Sequence, residues 1–238
     1  MKIDVKTAHF VADFGVVKIY YICEKYAGMN LWDNQILKLF EDKSLVEKIQ
    51  IKLPKLFQIA ELESSRAGKI GMEVGSLRER IVVALLIYVF REENVIGDIP
   101  ITEAETDVIV FDNPISIKTI TGNGGVKLSW TVDAQKAIEF SKNYIPDCDM
   151  IFVQINWNNS GGFYYFTKVL QTEIMQNLGR EKYLKLPKVG TNPRGTEMSS
   201  EALKILMKNE NAFKIPINWE KETLDYKPFN RWLELWKE

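Results

Sequence analysis

Two β-rich runs joined by a tight bend set the terms on which this chain can fold. Val108 to Phe111 is β-branched and aromatic, Asp112-Asn113-Pro114 is turn chemistry, and Ile115 to Ile120 is a second β-rich run. Thr121-Gly122-Asn123-Gly124-Gly125 ends it. The pattern predicts an antiparallel hairpin centred between Asp112 and Asn113. Phe111 then faces Pro114, Ile109 faces Ser116, and Asp107 faces Lys118. Opposed residues point to one side of a sheet, so Asp107, Ser116 and Lys118 share a face. Pro114 has no N–H for the ladder, which opens the tip but keeps the pairing; a bulge would break it.

A carboxylate beside an ammonium on one sheet face has two readings. One is a cross-strand salt bridge. The other is a hydrolytic site, where the carboxylate holds a hard cation and the lysine orients or activates the attacking water.

Composition removes several alternatives. The net charge of −1 means that any nucleic-acid site must be a local basic patch. Cys23 and Cys148 stand far apart, which suits a reducing cytosol and argues against a disulfide framework or a cysteine zinc site. His9 is the only histidine, so His-cluster metal sites are excluded and a Ser-His-Asp triad is disfavoured. No secretory signal is visible at Met1 to Val5. The longest apolar run, Ile81 to Phe90, is too short to span a bilayer, so no membrane association is expected. At 238 residues and 46% hydrophobic, the chain is one large domain or one domain with an appended lobe.

The front third reads as a helical lobe over residues 1–63. Thr7 caps a helix ending before Gly28, Asp33 caps one through Phe40, and residues 44–63 form helices interrupted at Pro54. Residues 64–75 are small, basic and glycine-containing. Ser76 then caps a helix through Tyr88 that is buried on most sides, with Glu79 near its entrance. Glu79 either looks inward or pairs with Arg78, Arg80 or the helix dipole.

After the hairpin, Val126 to Trp130 is extended. Thr131 caps a helix over 132–143, with Asp133 in its first turn. Strands over 149–157 and 163–169 form a second hairpin, followed by a helix to Leu178. Residues 179–195 carry Arg180, Lys182, Lys185, Lys188 and Arg194 against Glu181 alone. Ser199 or Ser200 caps a helix to Met207, and Ile215 to Trp219 is a last strand. Phe229, Trp232, Leu233 and Trp236 form an apolar stripe, core or oligomer contact, on a closing helix.

These residues together resemble type II restriction endonucleases of the PD-(D/E)xK superfamily, over residues 64–219. That pattern places a metal-binding Asp on one strand and an acidic residue, any residue and Lys on the next. Asp107 and Lys118 match it; Thr106 replaces the motif's Pro, and Ser116 stands at the acidic position. Some members similarly carry Ser-x-Lys and draw the missing carboxylate from a following helix, where Asp133 is placed. Others recruit a Glu from the preceding helix, which Ser65-Arg66-Ala67-Gly68, Gly75 and Glu79 resemble, with Glu73 a second choice. Asn192-Pro193-Arg194-Gly195, a helix, and Ile215-Pro216-Ile217-Asn218-Trp219 look like the tail of such enzymes.

The resemblance implies an α/β fold of α+β character: a central mixed β-sheet flanked by helices, with the nuclease core and a C-terminal DNA-recognition segment over 64–238. It implies Mg²⁺ held by Asp107, the Ile117 carbonyl and Glu79 or Asp133, with Lys118 and Ser116 in the catalytic group. It implies double-stranded DNA as substrate, met by Arg194, Asn192, Lys188, Lys127 and Arg66, a homodimer, and a prokaryotic cytoplasm. The rival readings are a structure-specific repair or junction nuclease on the same fold, a DNA-binding protein that has lost catalysis, and an interaction protein whose Asp107–Lys118 pair is only a salt bridge.

Overall fold

The computed structural model describes residues 33–100, 105–129, 131, 133–187 and 195–237. The expected helix over 7–27, with His9 and Cys23, lies outside them. Ile36–Glu238 forms one compact unit, which includes helix α1, Lys43–Ser64, on the front side of the expected boundary at 63 and 64.

Asp42 caps α1 by accepting from the Leu45 N–H at 3.2 Å. The helix runs unbroken through Pro54, where the sequence predicts an interruption. An interior proline costs about 3 kcal/mol. The buried stripe Leu45, Ile49, Leu53, Phe57 and Ala60 offsets that cost, so packing overrides local propensity.

Strands β1, Ser65–Arg66, and β2, Lys69–Ile70, form a small hairpin instead of a helix lead-in. Its turn residues Ala67 and Gly68 both have positive φ, 51° and 77°, as a type I′ turn requires. Helix α2, Val74–Phe90, starts before Ser76, with Glu73 at the N-cap. It packs against α1 and the sheet, yet its fully buried residues are a single stripe, Arg78, Val82, Leu86 and Phe90. Tyr88 stays exposed, so the helix is less enclosed than its apolar sequence predicts.

Strands β3 (Val95–Ile96), β4 (Val108–Val110) and β5 (Asn113–Thr121) follow, then β6 (Val126–Lys127) and helix α3 (Ala134–Asn143). Strands β7 (Asp149–Ile155) and β8 (Asn159–Phe166) precede helix α4 (Lys168–Leu178). The chain closes with β9 (Leu184–Lys185), β10 (Glu197–Met198), helix α5 (Ser200–Lys208), β11 (Phe213–Trp219) and helix α6 (Asn230–Leu235). The main sheet has the order β11-β8-β7-β5-β4-β3; β5 and β7 are parallel and every other pair is antiparallel. It is the mixed α/β arrangement expected.

The hairpin register differs from the expected one. Val108 faces Ile115, Ile109 faces Pro114 and Val110 faces Asn113. The bend is Phe111-Asp112, not Asp112-Asn113, because both residues adopt positive φ, 48° and 65°. That pair of conformations makes a two-residue turn whose twist matches the strands. The pairing moves by two positions along β5. Asp107 lies just outside this ladder, where its N–H donates to the Ile115 carbonyl at 3.0 Å, one position off the register, and its carboxylate still meets Ser116 and Lys118.

One face of the sheet carries Phe163, Tyr165, Phe213 and Trp219. Phe40 and Phe57 cover it, with ring centroids 5.7 Å from Phe163 and 5.6 Å from Trp219 respectively. On the other face, Met150, Phe152 and Phe166 pack with Leu170 and Ile174 of α4 and with Leu203 and Leu206 of α5. In the parallel pairing Ser116 lies beside Met150 and Lys118 beside Phe152. The polar pair thus stands at the rim of a core that fixes its strand.

The closing helix differs from the core alternative: Phe229, Trp232, Leu233 and Trp236 are all exposed.

Candidate active site

Asp107 stands just before β4, where the ladder to β5 runs out. Its Oδ2 takes the place of a strand acceptor. The Ile117 N–H donates to it at 2.6 Å, the Ser116 hydroxyl at 3.2 Å and the Lys118 ammonium at 2.8 Å. Three successive β5 residues therefore converge on one carboxylate oxygen. Lys118 is 15% exposed and Asp107 25%, so the pair is largely shielded but still reached by solvent.

Glu79 comes to this pair from α2. Its carboxyl is raised to about 7, first by burial and then by the Asp107 charge, with Lys118 opposing. Glu79 thus lies close enough to Asp107 and Lys118 to feel the charge of each.

Asp133 has a different place. It is the N-cap of α3, and its Oδ1 accepts from the Gln135 and Lys136 N–H groups at 2.8 and 3.2 Å. The cap is two residues later than expected at Thr131, whose hydroxyl accepts from the Asp133 N–H. Glu73 pairs with Arg66 at 3.4 Å across the β1–β2 hairpin, where Arg66 is largely exposed. Lys127 faces Glu197 on the small sheet β6-β10-β9. Strands β9 and β10 are the stem of the basic segment. Lys188, Asn192 and Arg194 lie in that segment, outside the described residues.

A second acidic group borders the first, and the sequence reading does not include it. The ligand-bearing atoms of Glu105, Asp147 and Cys148 lie within 4.8 Å of one another. Burial, then the Asp147 charge and a hydrogen bond to it, raises Glu105 to about 8, with Lys118 opposing. Burial also pushes the Cys148 thiol up, so it stays protonated. Glu105 sits at φ 68°, a left-handed conformation that costs energy for any residue but glycine. The segment from Glu105 to Asp107 thus carries an acid at each end. The only local signal was the Glu-Thr-Asp spacing; Asp147 and Cys148 arrive through the parallel pairing of β5 with β7.

Among the described residues, no helix is long and apolar enough to cross a membrane.

The family model described as restriction endonuclease ThaI matches residues 39–238. A solved structure described as a restriction endonuclease in complex with substrate DNA is 55% identical, with a TM-score of 0.80. The match covers 85% of this chain and 98% of that one. No curated protein matches. The chain belongs to the ThaI restriction endonuclease family.

Proposed function

We propose that this restriction endonuclease is a homodimeric, Mg²⁺-dependent enzyme that cuts double-stranded DNA at a fixed sequence. It leaves a 5′-phosphate and a 3′-hydroxyl, and it acts in a prokaryotic cytoplasm as a defence against incoming DNA. The observation that carries this reading is the convergence of Ser116, Ile117 and Lys118 on Asp107, with Glu79 sensing both charges.

The donors suit a hard divalent cation. Lys118, Ser116 and the Ile117 N–H all bond Asp107 Oδ2, which leaves Oδ1 for a metal. In a strand, the N–H and C=O of one residue point to the same edge. The Ile117 N–H points at Asp107, so its carbonyl does too. Asp107, Ile117 and Glu79 together supply only oxygen, as Mg²⁺ requires. We assign the second carboxylate to Glu79, because it feels the charges of both Asp107 and Lys118, whereas Asp133 caps α3. Mg²⁺ bound there supplies charge to the scissile phosphate and a lowered pKa to water.

Each protein group then has a task. Ser116 and the Ile117 N–H orient the Asp107 carboxylate. Lys118 offsets charge developing on the phosphate or moves a proton at the attacking water. Arg66 and Lys127 supply backbone phosphate contacts, which makes affinity fall steeply with salt. Arg194, Asn192 and Lys188 read base edges, Arg or Lys at guanine and Asn at adenine. A two-fold dimer matches a palindromic site. The DNA-bound neighbour supports a DNA substrate.

Plasmid digestion tests the reading. With Mg²⁺, discrete fragments sharing one end sequence and carrying ligatable 5′-phosphates are expected, and none with EDTA. A smear, or cutting confined to branched duplexes, would overturn it.

A pH dependence follows from Glu79. Its folded carboxyl is raised to about 7, so it is protonated below that pH, and a metal ligand must be deprotonated. Mn²⁺ affinity measured by calorimetry is expected to fall about tenfold per pH unit below about 7. Glu79→Gln should weaken binding at pH 8 and flatten that slope. A slope unchanged in the variant would remove Glu79 from the site.

A further inference from the structure

The start of α2 is poorly secured by its own sequence. Glu73 at the N-cap makes no side-chain cap bond, and Gly75 follows within the first turn. Uncapped helix ends with glycine fray. Yet Glu79, five residues in, must hold a fixed place beside Asp107 and Lys118.

A buried ion pair stands one residue earlier. The Arg78 guanidinium donates from Nη2 to Glu61 Oε1 of α1 at 2.6 Å, and both side chains are 5% exposed. The same nitrogen donates to the Thr121 hydroxyl at 3.1 Å. Thr121 ends β5, the strand that carries Ser116, Ile117 and Lys118. Glu61 is itself held in place. The Trp157 indole donates to Oε1 at 2.7 Å and the Lys221 ammonium to Oε2 at 3.1 Å. Lys221 also lies 4.8 Å over the Trp157 ring.

We propose that Glu61 is a positioning residue for the reaction: through Arg78 and Thr121 it locks the rotation of α2 against β5 and so sets where Glu79 meets Asp107 and Lys118. Successive helix residues are about 100° apart around the axis. With Arg78 fixed toward α1 and β5, the direction of Glu79 is fixed as well. The inference rests on the reading of Glu79 as a site carboxylate.

Mn²⁺ calorimetry at pH 8 on the metal-free full chain tests it, using Glu61→Gln, Glu79→Gln and the double variant. Gln keeps the shape of Glu61 and an oxygen for Trp157, but it loses the charge that holds Arg78. Glu61→Gln is expected to weaken Mn²⁺ about 10-fold, in the range for a residue that orients a ligand. The double variant should bind no more weakly than Glu79→Gln alone, because Glu61 acts only through Glu79. Wild-type affinity in Glu61→Gln beside weakened Glu79→Gln overturns the clamp and leaves the site standing. Wild-type affinity in Glu79→Gln overturns both. Additive losses in the double variant also overturn the clamp, since a general loss of structure would act at both positions independently. Should Glu61→Gln not fold, Thr121→Val removes only the link to β5. A loss of a few-fold there supports the clamp, and unchanged affinity contradicts it.

Discussion

Lys118→Ala is expected to slow cleavage of prebound duplex by about 10²–10⁴-fold, the range for a group that moves a proton or offsets charge in the transition state. The melting midpoint and duplex affinity in Ca²⁺ should stay near wild type. The reason is the way Asp107 is held. Loss of the ammonium removes one donor from Oδ2 but leaves the Ser116 hydroxyl and the Ile117 N–H in place. The Asp107 carboxylate therefore keeps its orientation, and the loss is expected in the chemical step. Lys118→Arg separates the two possible tasks. Guanidinium keeps the charge but does not give up a proton near neutral pH. Partial activity in Lys118→Arg assigns an electrostatic role, and none assigns proton movement. Wild-type rate in Lys118→Ala would leave Asp107–Lys118 as a salt bridge only.

The Asp107–Lys118 pair was legible in the sequence because a hairpin brings residues on either side of its bend together. The predicted bend is displaced and Asp107 bonds off the register, but Ser116 and Lys118 share a strand face by alternation, and the Asp107 carboxylate reaches both. The displacement itself was not legible. Asn-Gly is the usual mark of this turn, and Phe111-Asp112 takes its conformation without that signal. Glu79 was readable as a carboxylate near a helix entrance, but that it feels the Asp107 and Lys118 charges while Asp133 caps α3 needed the structure. Glu105, Asp147 and Cys148 were out of reach because a crossover through α3 brings β7 beside β5, and no local pattern records that distance. Glu61 was hidden for the same reason: its partners Arg78, Trp157 and Lys221 come from far along the chain. The continuity of α1 through Pro54 and the exposure of the α6 stripe show the limits of helical spacing. Spacing predicts which residues share a face, and tertiary packing decides whether that face is covered.

Asp107→Asn should have the other large effect, and by a different route. The amide keeps the size of the side chain and one oxygen, but it removes the negative charge that binds a cation and pairs with Lys118. At Oδ2, three donors point at one atom. An amide nitrogen there would face them with hydrogens of its own, and an amide oxygen there would turn the nitrogen toward the metal. Either orientation spoils the oxygen donor set, so cleavage should be lost with little change in fold. Neutralising Asp107 also relieves Glu79, whose carboxyl its charge helps raise, so Glu79 should titrate lower in the variant. The most direct measurement is Mn²⁺ binding by calorimetry at pH 8, wild type against Asp107→Asn. Saturable binding in the wild type and at least about 100-fold weaker binding in the variant are expected, as for loss of a charged ligand. Equal affinity in the two proteins would contradict a metal-dependent site built on Asp107.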